Sequence, residues 1–191
     1  MGLPKIAIFA SGTGSNAKKI LEYAKESNAF TVEVAITNKR DSGFAELMLK
    51  NGIKTYFVNN TLLSCEKPIE LILQEKGIDL IVLAGFLRKI PDALIDAFPN
   101  KIINIHPALL PKFGGKGMYG MNVHNAVKEA NETQSGITIH YVNKEYDKGD
   151  IIFQASTPIS PEDTPEQIAK KVQALEHAHF PVIIHKLLSE N

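Results

Sequence analysis

Five short runs rich in apolar and β-branched residues alternate with stretches of helical periodicity from residue 5 to residue 106. The runs are Lys5–Ala10, Thr31–Thr37, Thr55–Val58, Asp79–Leu83 and Ile102–His106. Runs this short and this apolar suit strands buried on both faces. Strand–helix alternation with short connections restricts such a chain to a doubly wound, parallel sheet with right-handed crossovers. The intervening stretches carry helix punctuation. Ile20, Leu21 and Ala24 share one face opposite Glu22, Lys25 and Glu26, Phe44–Lys50 stops at Gly52, and a segment opened by Pro68 closes near Gly77. A short helix from Pro91 to Ala97 precedes the fifth run.

Beyond residue 106 the pattern changes. Asn122 to Ala130 reads as a helix, and His124 on it either faces the cleft or, the more usual case, is exposed. Gly136–Val142 and Ile151–Ser156 alternate as strands across a polar turn, which predicts an antiparallel region at the end of the sheet. Thr164-Pro165-Glu166-Gln167 is a capping box opening a last helix striped by Ile168, Val172 and Leu175, with Pro181 expected to kink or end it. No repeat, low-complexity tract or linker interrupts the chain, so residues 1–191 are expected to form one Rossmann-like α/β domain.

Charge and composition narrow the function. Lysine plus arginine and aspartate plus glutamate both number 21, which leaves no electrostatic case for nucleic acid or an anionic membrane. Cys65 is the single cysteine, which excludes an internal disulfide and a multi-cysteine zinc site, and it is a poor nucleophile candidate. The two aspartates of the 143–150 turn do not assemble enough ligands for a divalent metal. With no signal-like N-terminus and no long apolar span, a cytoplasmic protein handling small molecules is expected, as a monomer or homodimer.

Three strand exits carry unusual residues, and open parallel sheets bind ligands at the carboxyl ends of their strands. The first run leads into Ser11-Gly12-Thr13-Gly14-Ser15-Asn16 and then a helix, an arrangement that offers phosphate backbone N–H groups and a positive helix end. A nicotinamide cofactor would want an acidic residue after the second strand, where Asn38-Lys39-Arg40 stands instead, so a substrate phosphate is favoured. A glycine turn serving only close packing stays open at this point. The fourth run exits into Ala84–Ile90. The fifth ends in Asn104-Ile105-His106-Pro107, where strand alternation puts Asn104 and His106 on one face and Pro107 stops the ladder. An amide and an imidazole side by side suit oxyanion stabilisation with proton transfer, and a nearby carboxylate would raise the histidine pKa and fix its tautomer.

These motifs together resemble the phosphoribosylglycinamide formyltransferases, folate-dependent enzymes of purine synthesis. The resemblance rests on Ser11–Asn16, Leu83–Arg88, Asn104–Pro111, Gly136–His140 and Asp147-Lys148-Gly149-Asp150. It implies the formyltransferase fold and 10-formyltetrahydrofolate as co-substrate, with no metal. By motif, Asn104, His106 and Asp147 would be catalytic. Gly14, Ser15 and Asn16 would hold the ribose phosphate, and Glu176 the other polar groups of the glycinamide substrate. Leu87, Arg88, Lys89 and Ile90, with Asn104 and Asn143, Lys144, Glu145, Tyr146 and Asp147, would line the folate pocket. The loop Lys112–Gly120 departs from the more familiar shorter, histidine-bearing form, and Lys67 is the only basic residue between Asn59 and Pro68. Two alternatives remain at this stage: a formyltetrahydrofolate deformylase lacking its regulatory domain, and a non-catalytic nucleotide-binding module.

Overall fold

The computed structural model describes residues 2–59 and 67–190. Seven strands form one sheet in the order β3-β2-β1-β4-β5-β6-β7. They are β1 Lys5–Phe9, β2 Thr31–Thr37, β3 Lys54–Phe57, β4 Leu80–Leu83, β5 Ile102–His106, β6 Gln134–Tyr141 and β7 Ile151–Pro158. Pairings among β1 to β5 are parallel, whereas β5–β6 and β6–β7 are antiparallel, as the change of pattern after residue 106 predicts. The helices among the described residues are α1 Ser15–Ser27, α2 Gly43–Lys50, α3 Lys67–Glu75, α4 Asp92–Ala97, α5 Met121–Glu129 and α6 Pro165–Ser189. Cys65 lies outside the described residues.

Strand alternation divides the core between the two sheet faces. Ile6, Ile8, Val82, Ile103 and Ile105 enter one apolar cluster with residues of α1, α5 and α6. Ala7, Phe9, Ile81, Leu83 and Ile102 enter the other with α3 and α4. Asn104 and His106 take the register positions of Ile102 and so leave the strand on the second side.

The chain winds outward from β1 through β2 to β3, then returns to the other side of β1 as β4. Strand order therefore reverses between β1 and β4, whose carboxyl ends open a crevice. Gly14 makes the first turn possible. It holds φ +80°, and a Cβ there would sit 2.9 Å from Phe44 Cα.

Of the two outcomes expected at Pro181, ending helix α6 is excluded: the helix runs on to Ser189, with Pro181 buried beside Phe180. An interior proline costs about 3 kcal/mol. Full burial of side chains such as Phe180 and Ile184 contributes about 1.5–3 kcal/mol each, enough to carry the helix through. The capping box at its start is intact, with Thr164 Oγ1 accepting from Gln167 N and Gln167 Oε1 accepting from Thr164 N. Among the described residues no helix is long and apolar enough to cross a membrane.

Candidate active site

A cleft of about 520 Å³ lies over the crevice between the β1, β4 and β5 exits, a size usual for small-molecule sites. Gly14, Ser15 and Asn16 form one end, residues 87–90 one wall, and Asn104, His106 and Asp147 the floor. Asn143, Glu145 and Tyr146 border it from the β6–β7 connection, and Glu176 from α6. Lys144 does not join them. Its ammonium turns outward to Asp96 at 2.8 Å, on α4, because an exposed lysine gains more from a carboxylate beside it than from an apolar wall.

The floor is built by strand pairing. In the antiparallel β5–β6 ladder Asn104 lies opposite His140, and Asn104 Nδ2 meets His140 Nε2 at 3.1 Å. His140 Nδ1 is 2.8 Å from Tyr141 O, and a carbonyl only accepts, so Nδ1 carries the proton. His140 Nε2 is then the acceptor for one amide N–H of Asn104, leaving the other directed elsewhere.

The same reasoning orders His106. Its Nε2 donates to Phe113 O at 2.8 Å, which leaves Nδ1 as the basic nitrogen. Asp147 Oδ2 lies 3.6 Å from that Nδ1, and Asp147 Oδ1 lies 3.7 Å from His140 Nε2. Gly115 N–H donates to Asp147 Oδ2 at 2.8 Å. The Lys112–Gly120 loop therefore touches both members of the His106–Asp147 pair.

Burial overturns the expected charge of His106. Desolvation pushes its pKa down, Asp147 and the Phe113 carbonyl pull it up, and the balance lies below the ordinary 6.5. His106 is 3% exposed, so burial favours the uncharged imidazole. Burial alone would push the Asp147 carboxyl up. His140, His106 and the Gly115 N–H outweigh that and hold it below the usual carboxylate value. The two shifts favour a neutral base beside an ionised acid.

At the other end, Asn16 Nδ2 donates to Glu176 Oε2 at 2.8 Å, while Asn16 Oδ1 is buried with no hydrogen-bond partner. Burial raises the Glu176 carboxyl above its ordinary value, partly offset by Asn16. Asn16 thus keeps one unpaired side-chain acceptor beside the cleft.

Sequence reasoning missed several members of the site. Gln173 lines the cleft one turn before Glu176 and reaches Ser15 Oγ at 3.3 Å; its three-residue spacing from Glu176 was the available signal. His124 takes the less usual of its two expected placements. It is 6% exposed, lines the cleft, and burial followed by the nearby His106 lowers its pKa. His140 closes the Gly136–His140 motif, which assigns it no role, and the Phe113 carbonyl left no local signal, since each acts through pairing across the fold.

The formyl transferase family matches residues 4–184 of the chain. The chain is similar to the chloroplastic phosphoribosylglycinamide formyltransferase of Arabidopsis thaliana, 43% identical over 97% of this chain and 66% of that protein. It is 35% identical to the phosphoribosylglycinamide formyltransferase of Haemophilus influenzae, over 95% of this chain and 86% of that one. Among solved structures, the phosphoribosylglycinamide formyltransferase of Bacillus halodurans aligns with a TM-score of 0.86 at 38% identity, covering 97% of this chain and 95% of that one. The chain spans about two thirds of the length of the Arabidopsis relative.

Proposed function

The chain belongs to the formyl transferase family, and on that premise we propose that it moves a formyl group from 10-formyltetrahydrofolate to the amine of glycinamide ribonucleotide. The products are N-formylglycinamide ribonucleotide and tetrahydrofolate, a step of purine synthesis. Residues 1–191 act in this reading as one formyltransferase unit, in the cytoplasm, with small-molecule partners only.

The observation that carries the proposal is the meeting of Asn104, His106 and Asp147 on one cleft floor, between a phosphate-type glycine turn and an apolar-lined loop. A binding module would need no such meeting. The Gly14–Asn16 turn and Gln173 receive the ribose phosphate, Glu176 and Asn16 Oδ1 the substrate's polar groups, and residues 87–90 with Asn143, Glu145 and Tyr146 the folate.

The substrate amine attacks the formyl carbon and a tetrahedral oxyanion forms. Asn104, held by His140, turns its second N–H toward that oxygen, a contribution of about 10²–10³ in rate. Neutral His106 takes the amine proton on Nδ1. The imidazolium so formed is stabilised by ionised Asp147 at 3.6 Å, which holds the charge in place as the Asp of a Ser-His-Asp triad does. His106 then returns the proton to the departing folate nitrogen, and the carbon–nitrogen bond to folate breaks. No covalent enzyme intermediate is required.

A spectroscopic assay of tetrahydrofolate release tests this. Release that depends on glycinamide ribonucleotide supports the proposal. Equal release without it identifies a deformylase, and no release with both substrates overturns the reading.

A further inference from the structure

Ser11 follows β1 and is fully buried, outside the cleft lining, yet its polar groups reach two neighbouring strand exits. Its N–H donates to Gly85 O at 3.0 Å. Its Oγ accepts from Leu87 N–H at 2.9 Å and donates to Asn38 Oδ1 at 2.5 Å. A hydroxyl has one proton, and Asn38 takes it, so the Ser11 lone pairs are left for Leu87. Residue 11 therefore clamps the backbone of residues 85–87 at two points, immediately before its own chain becomes the glycine turn. Asn38 stands where a dinucleotide fold places its ribose-binding acid, and here its carbonyl fixes the Ser11 hydroxyl instead.

We infer that Ser11 is a positioning residue that sets the folate-facing loop, residues 85–90, against the phosphate turn, and that Asn38 acts through it. The inference rests on the folate reading above. Ser11 touches no substrate. Its removal leaves the Leu87 N–H without its acceptor and lets the wall bearing Leu87, Arg88 and Ile90 shift, while the backbone of Gly14–Asn16 keeps its place at the start of α1.

The test is calorimetric titration of wild type, Ser11→Ala, Asn38→Ala, Asn38→Asp and the Ser11→Ala/Asn38→Ala double variant. The probes are tetrahydrofolate and, separately, ribose 5-phosphate. Ser11→Ala is expected to weaken tetrahydrofolate binding about tenfold, the equivalent of one net hydrogen bond, with ribose 5-phosphate affinity held within about twofold. Asn38→Ala shifts the same way, Asn38→Asp restores binding because it still accepts the hydroxyl proton, and the double variant is no worse than Ser11→Ala. Unchanged tetrahydrofolate affinity in Ser11→Ala, or equal loss for both probes, overturns the inference while the function stands. Should Ser11→Ala not fold, equal loss for both probes in Asn38→Ala, or no recovery of tetrahydrofolate binding in Asn38→Asp, overturns it equally. A wild type that binds no tetrahydrofolate overturns the functional reading, and this inference with it.

Discussion

His106 and Asp147 face each other with Nδ1 and Oδ2 3.6 Å apart, and one loop touches both, Phe113 O on the imidazole and Gly115 N–H on the carboxylate. Each partner is set in the state the other needs. Burial favours the neutral imidazole, and its neighbours favour the ionised acid.

Replacing Asp147 by Asn removes the charge that stabilises the imidazolium. Turnover is expected to fall about 10²–10⁴-fold, the span of positioned proton transfer, with unchanged circular dichroism. Asp147 raises the His106 pKa against the larger effect of burial. In Asp147→Asn the acid limb of the kcat/KM profile therefore moves to lower pH, and near-wild-type rates would remove Asp147 from the mechanism.

The loop can be tested without touching a titrating group. A Cβ on Gly114 would lie 2.5 Å from Leu110 Cδ2 and 3.2 Å from Asp147 Cβ. Leu110 can yield at its tip, whereas Asp147 must move. Gly114→Ala is expected to lower kcat about tenfold or more through that displacement, read by steady-state kinetics against a small change in unfolding temperature.

Stability should carry two opposite pH dependences. His106 and His124 have folded pKa values below the ordinary 6.5, so the unfolded chain binds those protons first. Their contribution is present above about pH 6.5 and is lost as pH falls through the folded values. Glu176 is raised above its ordinary 4.5, so its contribution is present below about 4.5 and is lost as pH rises through the folded value. Glu176→Gln abolishes the second dependence only. The difference in unfolding temperature between Glu176→Gln and wild type should grow as pH rises above 4.5, and a flat difference would contradict the burial of this carboxyl.

Lys144 provides the negative control. Its ammonium pairs with Asp96 outside the cleft, and exposed pairs contribute little. Lys144→Ala should leave the KM for formyl-folate within about twofold; a large rise would return Lys144 to the folate site.

The sequence by itself determined whatever depends on neighbours along the chain. The spacing of apolar runs dictated a doubly wound parallel sheet with an antiparallel end, and period-two alternation put Asn104 and His106 on one face. Glycine and serine after β1 marked the phosphate-type turn. Only the tertiary structure decided what depends on register and burial. Pairing of β5 with β6 set His140 against Asn104, and loop closure brought the Phe113 carbonyl onto His106. Desolvation outweighed Asp147 in setting the His106 charge, core packing carried α6 through Pro181, and Asp96 drew Lys144 away. The physical reason is range. Periodicity and turn chemistry act over a few residues, whereas register, desolvation and ion pairing sum over groups that only the folded chain brings together.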